Sequence, residues 1–188
     1  ARALGLARLH EALPFTFGTS LAPRDRHTTL IDSGNGARGR DMNIPGGGEL
    51  LQRLAELGVR RDEVDRVAHT HLHGDHTGWN LERETGGPRF PNARYLVPRG
   101  DWDHYREQTP PPDSFTRDVA PLERLGALEL IEGEHTISSS LVTLHTPGHT
   151  PGTLSMIFEV KDGGKPLTVA YSGGTAFNFV NTVPNFDI

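Results

Sequence analysis

The sequence predicts a layered α/β fold, and three observations carry that prediction. A helical stretch, Glu49-Leu50-Leu51-Gln52-Arg53-Leu54-Ala55-Glu56-Leu57-Gly58, is followed closely by a β-type run, Val64-Asp65-Arg66-Val67-Ala68. That run leads into Thr70-His71-Leu72-His73-Gly74-Asp75-His76-Thr77-Gly78, so the chemically richest stretch sits at the C-terminal end of a strand, as in layered α/β proteins. The 188 residues are 35% hydrophobic and 23% charged, which is enough to bury a core and too apolar for a disordered chain. One domain over residues 1–188 is expected.

Charge and composition remove some classes of function. A net charge of −5 and a pI near 6.0 leave no polybasic face, which argues against nucleic acid as a partner. No apolar run approaches the ~20 residues that a membrane span needs. There is no cysteine, so disulfides and thiolate ligands are excluded. That fits a cytoplasmic or an exported protein equally, and Ala1 is not followed by a signal-peptide pattern. None of these exclusions bears on a small-molecule partner, which is the class expected here. Oligomeric state is not readable.

In chain order, residues 1–20 are weakly patterned, with Phe15-Thr16-Phe17 a possible short strand. His27 to Asp32 is rich in β-branched residues and reads as a strand running into the turn Ser33-Gly34-Asn35-Gly36. Asp32 is either a turn cap or a carboxylate standing behind a site. Arg38 to Gly48 is a polar, Gly-rich loop; Gly46-Gly47-Gly48 lacks the Lys-Ser/Thr of a phosphate loop. In the helix that follows, Leu50, Leu54 and Leu57 form the buried stripe and Gly58 the stop. Asp62-Glu63-Val64 turns into the next strand.

Four histidines then fall between His69 and His76, with an aspartate among them. Buried in a core they would be costly to desolvate unless something paired them. Zinc and similar divalent metals take imidazole nitrogen and carboxylate oxygen. Gly74 is expected to let the backbone turn, so that His71 and His73 serve one metal and Asp75 and His76 another. His69 reads as a packing residue or one supporting the ligands.

A helical turn from Asp75 through Asn80 ends by Gly86-Gly87-Pro88, and Ala93 to Val97 is a buried strand. Pro98 to Tyr105 reads as a loop leading to a helix capped by Asp101. Trp102, His104 and Tyr105 could contact a substrate, with aromatic packing the equal alternative. Pro110-Pro111-Pro112 marks a surface linker or lid. Ser114 to Leu125 is helical, with Pro121 limiting its start or kinking it. Leu128 to Ile131 and Leu141 to Thr146 are strands. The second enters Pro147-Gly148-His149-Thr150-Pro151-Gly152, a rigid loop that presents His149 as a third ligand for the His71/His73 metal. The rival, His145, cannot pair with His149 along a helix because Pro147 intervenes. Thr153 to Val160 and Leu167 to Tyr171 form a hairpin about Asp162-Gly163-Gly164, leading to Ser172-Gly173-Gly174-Thr175.

With these motifs in hand, the sequence resembles the metallo-β-lactamase superfamily. Thr70 to Gly78 matches its defining metal motif and Thr146 to Gly152 the next, with the likeness running from about Thr28 to Gly174. Ile31-Asp32-Ser33-Gly34, Gly78-Trp79-Asn80, Phe90-Pro91-Asn92-Ala93 and Asp101-Trp102 resemble its lactonase and organophosphate-hydrolase branch. The resemblance implies an αβ/βα four-layer sandwich, truncated here at its C-terminal end, with metals at one edge. It implies zinc on His71, His73 and His149, a second zinc on Asp75 and His76, and Asp32 behind the ligands. The family commonly places a metal-bridging aspartate where this chain has Gly174 or Thr175, and a last histidine further on; neither is evident. One zinc is therefore firmly expected, and the second is left open.

Three histidines leave one coordination position free, the pattern of a catalytic zinc. The implied reaction is attack of a metal-bound hydroxide on a lactone or other ester, with Asp75 holding the second metal or taking a proton. Thr175 and Trp102 are the residues expected nearby. β-Lactam hydrolysis and a metal-binding remnant without catalysis are the alternatives.

Overall fold

A computed structural model of the chain describes residues 19–22, 27–43 and 48–174. Phe15-Thr16-Phe17 and Thr175 lie outside the described residues. The elements run β1 (Ser20–Leu21), β2 (Thr29–Ile31), α1 (Arg38–Asp41), α2 (Leu50–Glu56), a 3-10 turn (Arg61–Glu63), β3 (Arg66–Ala68) and α3 (Gly74–Thr77). They continue through β4 (Arg94–Pro98), α4 (Arg99–Glu107), α5 (Asp113–Asp118), α6 (Pro121–Arg124) and β5 (Leu128–Ile131). A four-strand meander closes the series: β6 (His135–Ser138), β7 (Leu141–His145), β8 (Leu154–Asp162) and β9 (Lys165–Tyr171).

Two sheets result. The first has the order β1-β2-β3-β4-β5, antiparallel at β1/β2 and parallel from β2 to β5. The second, β6-β7-β8-β9, is antiparallel throughout. Period-two alternation divides the core. Ile31, Ala68, Leu96 and Ile131 face the second sheet, packing on Ile137, Leu141, Leu154, Met156 and Phe158. On the opposite face of the first sheet, Leu30, Val67 and Tyr95 pack on Leu54 of α2 and Leu122 of α6. Val97 joins Trp102, Phe115 and Val119 beneath α4 and α5. The described residues thus build helix, sheet and sheet layers; among them, no helix packs on the outer face of the second sheet. No described helix is long and apolar enough to cross a membrane.

Several expected elements differ in detail. The helix after β4 starts at Arg99, not at a cap on Asp101. Pro121 does not kink a long helix: it opens α6 and separates it from α5, because it lacks the N–H a continuing helix needs. β6 was not anticipated, since His135-Thr136-Ile137-Ser138 carries only one strongly apolar residue.

The parallel strands all end at one edge, and the loop between β7 and β8 arrives at the same edge. Tyr95 secures it from below. Its hydroxyl donates to the Asn80 carbonyl at 3.0 Å and accepts from the Phe90 N–H at 3.1 Å, fully buried. Tyr95→Phe leaves the Phe90 N–H without this acceptor, while the Asn80 carbonyl keeps the Arg89 N–H at 2.9 Å, and it is expected to cost about 1–3 kcal/mol. The urea midpoint measures this; a loss below about 0.5 kcal/mol contradicts the role given to the hydroxyl.

Candidate metal centre

Three imidazoles meet at this edge. One ligand atom from each of His71, His73 and His149 lies within 4.8 Å of the other two. His73 Nδ1 faces His149 Nε2 at 3.1 Å. Two nitrogens on one tetrahedral zinc, each about 2.0–2.1 Å from it, stand roughly 3.3 Å apart. The ring planes of all three pairs are close to perpendicular, 86–89°. The rings therefore fan around a shared point instead of stacking.

The ligand atom of His71 follows from its neighbours. Thr70 Oγ1 donates its one proton to Asp32 Oδ2 at 2.9 Å, so it accepts from His71 Nδ1 at 3.0 Å. The proton of neutral His71 is thus on Nδ1, and its Nε2 carries the lone pair. That Nε2 is buried and has no hydrogen-bond partner. Burial, with the charge of His76 adding to it, pushes His71 down to about 3. Burial and His149 also lower His73. Both effects keep the rings neutral, the state in which imidazole binds a metal. An orphaned buried nitrogen facing two more is a donor set that fits a divalent ion.

Asp75 and His76 lie beside this group. The His71 and His76 ring centroids are 3.9 Å apart, and His76 Nε2 stands 3.5 Å from Asp75 Oδ2. His76 Nδ1 donates to Asp32 Oδ2 at 2.9 Å. Burial works against a charge on His76, but Asp32 and then Asp75 outweigh it and push its pKa up to about 10. Asp75 is held below the usual carboxylate range: burial opposes this and His76 overcomes it. The proton on His76 Nε2 thus occupies the place a cation shared with Asp75 would take.

Asp32 is fully buried and holds the left-handed backbone conformation, φ 60°. Aspartate is among the few residues that tolerate this geometry, and such outliers gather at functional sites. Burial would raise its pKa, but His76 and His69 hold it below the normal range. Besides Thr70 Oγ1 and His76, it accepts the Thr70 N–H at 2.8 Å. His69 is buried beneath it, its Nδ1 3.7 Å from Asp32 Oδ1.

Other expected neighbours go elsewhere. Trp102 is 3% exposed and packs edge-on against Phe115 at 5.2 Å, so it is a core residue and not a substrate contact. Tyr105 comes nearer, its ring 6.5 Å from that of His73. His145 is exposed and bonds the Pro151 carbonyl at 3.1 Å. Gly74 has no positive φ. It is small because α5 lies against it: a Cβ there would stand 3.0 Å from Ser114 Cβ.

Asp101 is the residue that sequence reasoning missed. It is fully buried, and its carboxylate accepts from the Leu72 N–H at 3.0 Å, the Thr150 hydroxyl at 2.9 Å and the Gly152 N–H at 2.7 Å. It therefore joins the His71–His73 loop to the His149 loop. A Cβ on Gly152 would collide with Asp101, so glycine is required there. The available signal was position: an aspartate in the first turn after β4 points to the edge where the histidines lie.

A sequence profile of the metallo-beta-lactamase superfamily matches residues 20–165. An N-acyl homoserine lactonase from Bacillus sp is 29% identical over 135 residues, 72% of this chain and 49% of the relative. Hydrolase AbOPH of the beta lactamase superfamily superposes with a TM-score of 0.60 at 23% identity, over 80% of this chain and 55% of that one. AidC, a dizinc quorum-quenching lactonase solved with the product N-hexanoyl-L-homoserine, superposes with a TM-score of 0.60 at 20% identity, over 80% and 54%. These two likenesses speak to the fold. The chain spans about half the length of the curated relatives it matches.

Asp101→Asn keeps the side-chain shape but turns one acceptor oxygen into a donor facing N–H or O–H groups. Affinity for a divalent metal is expected to fall about 10- to 100-fold, read by competition with a chromophoric chelator. Unchanged affinity would refute the role of Asp101 in setting the distance between the two loops.

Proposed function

The chain belongs to the metallo-β-lactamase superfamily, and from that premise we propose that it is a zinc-dependent hydrolase acting on a lactone or comparable ester. The observation that supports this most directly is the buried, partnerless Nε2 of His71 facing His73 and His149. His71 Nε2, His73 Nδ1 and His149 Nε2 would hold the first zinc, and Asp75 with His76 Nε2 a second. When bound, zinc polarises the scissile carbonyl and acidifies water to a pKa of about 7.

The chain's own residues do the remaining work. Thr70 fixes the His71 tautomer, and Asp32 fixes that of His76. Without a second zinc, Asp75, kept ionised by His76, is a carboxylate at the edge of the site whose oxygen can accept a proton from the attacking water. Asp101 holds the two ligand loops at a constant distance, so ligands need not be gathered at each turnover. The lactonase relatives supply the substrate class for this proposal.

One observation favours β-lactam hydrolysis as a second reading. A Cβ on Gly174 would fall 2.6–2.8 Å from atoms of His149, so this arrangement has no room for a bridging aspartate at that position. True metallo-β-lactamases also lack that aspartate.

Elemental analysis and turnover, measured together, test the proposal. Wild-type protein is expected to hold zinc and open a simple lactone. His71→Ala is expected to lose zinc and to lower kcat/KM by about a hundredfold or more, the loss of several kcal/mol of transition-state stabilisation. Zinc content unchanged in His71→Ala refutes the ligand assignment. Zinc without turnover of lactone, ester or β-lactam refutes the hydrolase reading and leaves a metal-binding protein.

A further inference from the structure

A cavity of about 470 Å³ opens beside the metal motif, with Gly74 and Asp75 in its lining. That volume lies within the roughly 300–1,000 Å³ of small-molecule sites. Its walls are unusual for a pocket that receives an aliphatic chain. Met42 is the apolar side chain in the lining, and it is 67% exposed. Arg38, Arg117, Ser114 and Asn35 supply donors instead. Asn35 Nδ2 is buried and has no hydrogen-bond partner.

The charges in the cavity are unequally shared. Arg117 grips Asp118 with both arms of its fork, Nε to Oδ1 at 2.9 Å and Nη2 to Oδ2 at 2.7 Å. Arg38 reaches the same carboxylate only once, at 3.4 Å. One carboxylate thus stands between two guanidiniums, and most of the five donors of Arg38 are not turned to it. The Arg38 head also lies against the metal motif: a Cβ on Gly74 would sit 3.5 Å from its Nη2. Asp75 is engaged with His76. Asp113, also in the lining, works against an anion, but it is exposed and its charge is screened by water.

We propose that this cavity is the substrate subsite, and that Arg38 selects lactones or esters carrying a carboxylate near the scissile bond over those carrying an aliphatic acyl chain. The proposal rests on the hydrolase reading above. A carboxylate there receives a charge-assisted fork from Arg38, with Ser114 Oγ as a further donor. Among the described residues an acyl chain meets Met42 as the apolar side chain of the lining, and it leaves those donors unsatisfied.

The test uses zinc-loaded protein and two γ-butyrolactones, one with a ring carboxylate and one with that carboxylate capped as the amide. The carboxylate form is expected to have a KM about tenfold lower, the usual scale of one charge-assisted contact. Arg38→Met is expected to raise KM at least tenfold more for the carboxylate than for the amide. Arg38→Gln, which keeps a donor without the charge, gives the same comparison should the Met variant not fold. Equal KM values in wild type, or equal changes in the variants, overturn the proposal. If neither lactone is turned over, the lactonase reading falls, and calorimetry with the two ring-opened products decides the subsite by itself. Tighter binding of the dicarboxylate that disappears in Arg38→Met upholds it; equal binding overturns it.

Discussion

The site depends on a buried carboxylate that ties two sheets together. His71 and His73 follow a strand of the first sheet, and His149 lies in a loop of the second. Packing of Ile31 and Leu96 on Leu154 and Met156 brings the sheets together but does not fix a loop to tenths of an ångström. Asp101 does that, because its two oxygens take donors from both loops at once. Burying a charge without partners would be costly, so the carboxylate is tolerated only while both loops stay in place. The Leu154 N–H donating to the Thr70 carbonyl at 2.8 Å adds a second tie in the same direction.

Asp32 performs the corresponding task within the first sheet. It ends β2 in a strained conformation, accepts from Thr70 and His76, and so transmits its orientation to His71 through the Thr70 hydroxyl. The result is a group of imidazoles whose protonation states are driven apart: His71 down to about 3, His76 up to about 10. Neutral rings crowded together with a lone pair unspent are unfavourable in themselves. A divalent ion would relieve that conflict, and any ion bound only by the folded state would add to stability by mass action.

The metal motif was legible in the sequence because its residue types are rare and dense: few cores accommodate His69 to His76 without a shared partner. The α/β character was legible from one helix, Leu50 to Glu56, and the strand that follows. What was not legible depended on tertiary approach. Asp101 looked like a cap because capping is the common local use of aspartate, whereas its partners lie 29 to 51 residues away in sequence. Gly74 looked like a turn residue, but its smallness answers to Ser114 on another helix. For Trp102 the sequence left substrate contact and aromatic packing open, and it fills the core under α4. β6 carries too little alternation to announce itself. Thr175 and Phe15 to Phe17 lie outside the described residues.

Under the proposed reading, catalytic chemistry and substrate choice fall to different parts of this molecule. The ligands sit at strand ends, where the ladder, Asp32 and Asp101 constrain them from several sides. Arg38 and Arg117 sit on α1 and α5, short helices that those carboxylates do not reach. A change on either helix alters the charge beside Asp75 without moving a ligand, provided Gly74 keeps its contact with α5. Specificity can therefore change while the metal chemistry stays fixed, which is how one fold comes to serve many substrates. The cavity combines Gly74 and Asp75 of the metal motif with Arg38, Ser114 and Arg117 outside it, and under the proposed reading these last three would set what enters.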